Sequence, residues 1–232
     1  MTQHVGIVAC SAPGAALCFE TLCIEGQQVL GRYGHPEISM HCPPFAKYMK
    51  GIEAGDWDAV AELMLASARK LAQAGADFCI SPDNTIHQAF DRVAAESPVP
   101  WLHIAEEVAR EAERRGCRRV AVLGTKFLME GPVYPRRLAA RGIEHRVPTE
   151  GERERINEII FDELVNHVFK NASRRWFCDV ISHLEGDGCD AVVLGCTEIP
   201  LLINDDCSPL PTLDSTRILA RAALRRAVGE EG

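Results

Sequence analysis

Three observations in the 232-residue sequence predict an α/β fold of two pseudo-symmetric lobes, each built on a parallel sheet. First, Gly75-Ala-Asp-Phe-Cys-Ile-Ser-Pro-Asp-Asn-Thr-Ile86 aligns without a gap on Gly188-Cys-Asp-Ala-Val-Val-Leu-Gly-Cys-Thr-Glu-Ile199. Gly, Asp and Ile recur at matching positions, and Asp83 falls opposite Cys196, 113 residues on. Second, Val5-Gly-Ile-Val-Ala-Cys-Ser11 echoes Arg119-Val-Ala-Val-Leu-Gly-Thr125, each an apolar run ending in a small hydroxyl residue. Third, short apolar runs alternate with helical patterns, as in parallel sheets covered on both faces. The expected lobes are residues 1–104 plus 208–232 and residues 105–207. Paired strand ends in a duplicated domain suggest that one residue from each half faces a single substrate.

The elements follow in order. Residues 5–10 read as a buried strand, short and rich in β-branched residues. Pro13-Gly14 breaks it, and a helix runs from about Ala15. Ile38–Cys42 is a second strand, ended by Pro43-Pro44. Trp57 to Gly75 is an amphipathic helix with Leu63, Ala66 and Leu71 on one side and a terminal glycine. Phe78–Ser81 is a buried strand stopped by Pro82. A helix from about His87 to Glu96, a short Val99–His103 segment and a helix from about Ala105 to Arg115 complete the half. The second half has strands at 118–123, 144–147 and 191–194. Helices are expected from Gly131-Pro-Val-Tyr134, over 152–170 and 173–185, and from Asp214, where Asp or Ser serves as N-cap.

Composition narrows the function. A net charge of −8, with Lys and Arg scattered or on helices, argues against nucleic-acid binding. No apolar run reaches the length of a membrane span, and MTQHVGIVAC leads straight into a strand with no signal peptide. The ten cysteines form no C-x-x-C pair and sit in no His cluster of zinc spacing, so no metal is expected. They read as reduced, mostly buried thiols of a cytoplasmic protein.

In parallel sheets, ligands bind beyond the carboxyl ends of strands, where Asp83, Thr125 and Cys196 all fall. Cys196 is either one more buried cysteine or a thiolate stabilised at the start of the next helix. Its neighbours Gly195, Thr197 and Glu198 suit an anion-binding turn. Asp83 is a helix N-cap, a general base or a contact to a substrate cation. Ser11, Asn84, Thr85, Thr125 and Thr197 supply hydroxyl, amide and backbone donors for a carboxylate. His87 is a proton carrier, a partner for Asp83 or a helix-surface residue. Lys126 offsets anionic charge or is simply solvated. Glu198 orients or activates its neighbours, or complements a helix N-terminus.

Gly195-Cys-Thr-Glu-Ile199 within VVLGCTEIPLLI, Asn84-Thr85 with His87, and Leu123-Gly-Thr125 resemble the aspartate/glutamate racemase family. NEIIFDELV (157–165) and the Met129-Glu130 helix entry are similar to its broad-specificity bacterial members. The resemblance covers nearly the whole chain. It implies two α/β domains with the active site in the cleft between them, neither pyridoxal phosphate nor metal, and a homodimer. It also implies deprotonation at Cα by a thiolate and reprotonation from the opposite face, with Cys196 at the family's second catalytic position. Asp83 departs from the first position, usually cysteine and in some members threonine. There a dicarboxylate substrate would meet a third negative charge unless Asp83 is protonated or paired with Lys126 or His87. Ala9-Cys10 replaces the family's glycine pair. Lys47 stands in for the cation otherwise missing around residues 41–48.

The leading expectation is a cofactor-independent racemase or epimerase of aspartate or glutamate, using Cys196 and Asp83. A single-cysteine decarboxylase or cis–trans isomerase of a small dicarboxylate is the alternative on the same scaffold. A binding protein that senses a small carboxylate without catalysis is the third.

Overall fold

The computed structural model describes residues 2–230. It opens with strand β1 (Val5–Val8), followed by helix α1 (Ala12–Leu30), β2 (Ile38–His41), α2 (Phe45–Ala54) and α3 (Trp57–Gln73). Then come β3 (Phe78–Ile80), a 3-10 turn over Thr85–Ala89 and α4 (Phe90–Glu96). Helix α5 (Ile104–Arg114) leads into β4 (Arg119–Leu123), α6 (Lys126–Met129), α7 (Val133–Ala139) and β5 (Glu144–Arg146). Next are α8 (Glu150–Asp162), a 3-10 turn over Leu164–Asn166, and α9 (Asn171–Gly186). The chain closes with β6 (Ala191–Leu194), a 3-10 turn over Ile199–Leu201, β7 (Thr212–Asp214) and α10 (Ser215–Val228).

These elements form two compact units. One runs through Ile104 and resumes at Thr216; the other is Ala105–Ser215. The first holds a parallel sheet of order β2-β1-β3, and the second a parallel sheet of order β5-β4-β6-β7. The repeat is therefore structural: β1 corresponds to β4, β2 to β5 and β3 to β6. Even the entry to the inner strands is copied. Asp77 accepts the backbone N–H of His4 at 2.7 Å, and Asp190 that of Arg118 at 2.8 Å. The fourth position differs in degree. Val192 N–H donates to the Pro211 carbonyl at the head of β7, while Cys79 N–H donates to that of Pro100, beside a single parallel bridge at Trp101.

Each unit has its own apolar core. In the first, Val5, Ile7, Phe78 and Ile80 of the sheet pack with Cys18 and Leu22 of α1 and with Leu219, Ala223 and Ala227 of α10. In the second, Leu123, Val192 and Leu194 pack against Ile156, Ile159 and Ile160 of α8 and Phe177, Val180 and Ile181 of α9. Fully burying one of these Val, Leu, Ile or Phe side chains stabilises by about 1.5–3 kcal/mol, so these faces hold the strand ends in place.

Several expectations need correction. Residues 208–215 lie with the second unit rather than the first, because β7 adds to β6 before the chain leaves. The helix expected over 152–170 stops at Asp162. There the buried Glu163 carboxylate accepts from Ser173 Oγ at 2.5 Å and Lys170 Nζ at 3.1 Å, which folds the chain back toward α9. Helices α2 and α6 were not foreseen. Pro43-Pro44 ends β2 but also precedes α2 immediately, and α6 is a single turn capped by Thr125.

Candidate active site

The sheets place their candidate residues at matching positions just beyond β1 and β3 in one unit and β4 and β6 in the other.

In the first unit, Asp83 follows β3 and the Pro82 stop. Its Oδ2 accepts the backbone N–H of Cys10 at 3.0 Å and its Oδ1 that of Ser11 at 3.1 Å. The carboxylate thus ties the turn after β3 to the turn after β1. Asp83 is buried, and it is neither the cap of an α-helix nor an exposed charge. Two N–H donors aimed at the carboxyl group fix its orientation. Asn84 and Ser11 are buried beside it, with Asn84 Nδ2 3.5 Å from the Pro82 carbonyl. Thr85 opens the 3-10 turn that follows.

His87 is not a helix-surface residue. It is 3% exposed, with Nε2 3.1 Å from the Ser81 carbonyl, its ring stacked on Phe90 and edge-on to His103. The segment at 41–48 also turns out differently. Lys47 is exposed, and the residue that α2 sends inward is Tyr48. Burial, then the neighbouring Cys10 and Asp83, holds the Tyr48 phenol well above its ordinary range, so it remains a neutral hydroxyl.

In the second unit, backbone does what Asp83 does in the first. Gly195 N–H donates to the Leu123 carbonyl at 2.7 Å. A Cβ on Gly195 would sit 2.7 Å from that same oxygen, so only glycine lets these turns approach so closely. Thr125 caps α6, its Oγ1 accepting the Leu128 N–H at 3.2 Å. The Lys126 N–H is held by Asn157 Oδ1 at 2.9 Å, and its ammonium pairs with Glu154 at 3.6 Å on the half-exposed side. Asn157 and Glu154 were not singled out from sequence, although Asn157 heads the NEIIFDELV stretch.

Cys196 follows directly, 7% exposed. Its Sγ lies 2.9 Å from Glu198 Oε2, which also accepts the Thr197 hydroxyl at 2.7 Å. Thr197 and Glu198 are each 2% exposed, and Glu198 Oε1 is buried with no hydrogen-bond partner among the described residues. No α-helix starts here. The three-residue turn Ile199–Leu201 offers little of the dipole expected to favour a thiolate. The partner for the thiol proton is the Glu198 carboxylate. Among the described residues no cluster of His, Cys, Asp and Glu is suited to hold a metal ion, and no helix is long and apolar enough to cross a membrane.

The duplicated parallel α/β scaffold thus carries a thiol at one strand end and a carboxylate at its counterpart. The Asp/Glu/Hydantoin racemase family model matches residues 16–223. A candidate Asp/Glu racemase from Yersinia pestis superposes with a TM-score of 0.87 at 30% identity, covering 97% of this chain and 99% of that one. An aspartate racemase homologue from Pyrococcus horikoshii OT3 gives 0.84 at 30% identity, covering 98% and 100%. The broad-specificity amino-acid racemase RacX of Bacillus subtilis is 24% identical over 172 residues, 73% of each chain. The chain belongs to the Asp/Glu/hydantoin racemase family, and with it to the isomerases.

Proposed function

We propose that the enzyme racemises or epimerises an acidic amino acid, aspartate or glutamate, by removing and replacing the Cα proton, with Cys196 and Asp83 as the two proton-carrying groups. The observation that carries the reading is the buried Cys196–Glu198 contact of 2.9 Å. A carboxylate this close takes the thiol proton and returns it, so Cys196 alternates between acid and base. In one direction the Asp83 carboxylate accepts the Cα proton while the Cys196 thiol supplies one to the other face. In the reverse direction the thiolate abstracts and Asp83 donates. Ser11, Asn84, Thr85, Thr125 and Thr197 bind the substrate carboxylates. Lys126 acts at longer range, since Glu154 holds its ammonium. His87 supports the turn through Ser81. Side chains alone supply this chemistry, with no cofactor. A homodimer in the cytoplasm is the setting we assign, the latter resting on ten free thiols.

One observation favours the second reading. With Asp83 bound by the Cys10 and Ser11 amides, Cys196 is the better-placed proton donor, and decarboxylation or cis–trans isomerisation of a small dicarboxylate needs only one. Proton NMR in D2O, with each enantiomer of aspartate and glutamate, separates the two. Loss of the Cα proton signal, abolished in Cys196→Ala, supports racemisation. If all four amino acids keep their signal while a small dicarboxylate is decarboxylated or isomerised, the racemase reading is wrong.

A further inference from the structure

Downstream of the Cys196 turn, the chain is fastened to α9 at two points one helical turn apart. Arg174 Nε donates to the Leu202 carbonyl at 3.0 Å, and Cys178 Sγ donates to the Cys207 carbonyl at 3.1 Å. Cys207 closes a tight turn: its N–H and that of Ser208 both reach the Asn204 carbonyl, at 3.2 and 3.0 Å. Its own sulfur lies 3.5 Å from the Asn204 N–H. Both cysteines are half-buried against the same apolar cluster. A carbonyl oxygen lies about 2.4 Å from its own Cα by standard bond lengths. The Cys178 sulfur is therefore within about 5.5 Å of the Cys207 Cα. A disulfide then needs a side-chain and turn adjustment that brings the two sulfurs to bonding distance, about 2.05 Å.

We propose that Cys178 and Cys207 are a redox-sensitive thiol pair, converted by a hydroperoxide into a disulfide that clips the segment after the Cys196 turn onto α9. The assignment is independent of the proposed reaction and uses none of its residues. Burial first, then Cys207 and Asp179, raises the Cys178 thiol above its ordinary range, so Cys178 is the resolving thiol. The Cys207 thiolate attacks one peroxide oxygen, the O–O bond breaks, and water or alcohol leaves after protonation, giving a sulfenic acid. The Cys178 thiolate then attacks that sulfur, the S–O bond breaks and water departs. Two thiols and one hydroperoxide thus yield one disulfide, with the peroxide reduced.

The test is treatment of the full-length protein with hydrogen peroxide, blocking of remaining thiols, and cleavage after glutamates. This separates Cys178 (residues 164–185), Cys189 with Cys196 (186–198) and Cys207 (199–230). The expected product is peptide 164–185 joined to 199–230 with the loss of two hydrogens, released by reductant. Oxidised protein should melt a few degrees higher than reduced protein, and the shift should vanish in Cys178→Ser and Cys207→Ser. The unmodified protein decides the matter even if a variant folds poorly. Peroxide that leaves both thiols free to alkylate, oxidises one without joining them, or joins Cys207 to Cys196 or Cys189 overturns the proposal.

Discussion

The turn after β3 and the turn after β6 occupy the same place in their sheets and solve the same problem differently. Each must be held against the turn that follows the neighbouring strand. In the second unit the Gly195 N–H does this by donating to Leu123. The residue at the matching position of the first unit is Pro82, which has no N–H to give. The next side chain takes over, and Asp83 spans the gap to the Cys10 and Ser11 amides. Where backbone closes the gap, the following side chain is released, and Cys196 turns to Glu198 instead. A duplicated frame thus yields two unlike groups, a fixed carboxylate and a thiol with its own proton acceptor.

The sharpest way to break this comparison is Cys196→Ala. It should lower Cα exchange by about 10³-fold or more, in line with loss of a positioned acid–base group, while leaving the melting temperature within a few degrees. A variant that kept near-normal exchange would remove the thiol from the reaction. Glu198→Gln should cost about 10²-fold in kcat, since the amide keeps the shape and the Thr197 contact but cannot take the thiol proton. An effect confined to KM would make Glu198 a substrate contact instead.

The next change converts the first turn toward the second. Asp83→Cys alone strands two buried N–H groups and should destabilise by about 1–3 kcal/mol in urea unfolding. Adding Pro82→Gly restores an N–H able to bridge to Ala9. The double variant should therefore regain part of that stability and racemise faster than Asp83→Cys. If the glycine gives back nothing, the N–H of Gly195 is not what frees Cys196.

Much of this was legible in the chain, for reasons that can be named. Strands β1, β3, β4 and β6 are buried on both faces, so their sequences are continuous apolar runs. The repeat then carries Asp83 and Cys196 to matching strand ends. Strand β7 was hidden because Thr212-Leu-Asp214 is three residues long and runs into a strong helix pattern. A further echo would have revealed it. Pro100-Trp-Leu102 with Ala109-Arg110, Ala112 and Arg114-Arg115 recurs as Pro211-Thr-Leu213 with Ala220-Arg221, Ala223 and Arg225-Arg226. That pairing matches α5 to α10. Each helix follows the fourth sheet position of one unit and belongs to the other, which explains why the chain changes unit at both 104 and 215. The end of α8 was unreadable because the Glu163 contacts to Ser173 and Lys170 are tertiary. The partners of Asp83 were unreadable for a different reason: they are backbone amides, which every residue but proline carries.

The smallest test concerns the strand entries, where the units look most alike. Asp77→Ala and Asp190→Ala each remove one carboxylate acceptor from a backbone N–H that opens an inner strand. The two N–H groups differ in surroundings: His4 is 6% exposed, whereas Arg118 is exposed to water. Losing the acceptor leaves the His4 amide without its carboxylate where water has poor access, and about 1 kcal/mol should be lost. The Arg118 amide exchanges its carboxylate for solvent, and Asp190→Ala should cost about half of that or less. Urea midpoints of the two variants measure the difference. Equal losses would mean that the copied aspartates act through the strand they begin rather than through the burial of their partner, and the units would then be more alike at their entries than their solvent exposure implies.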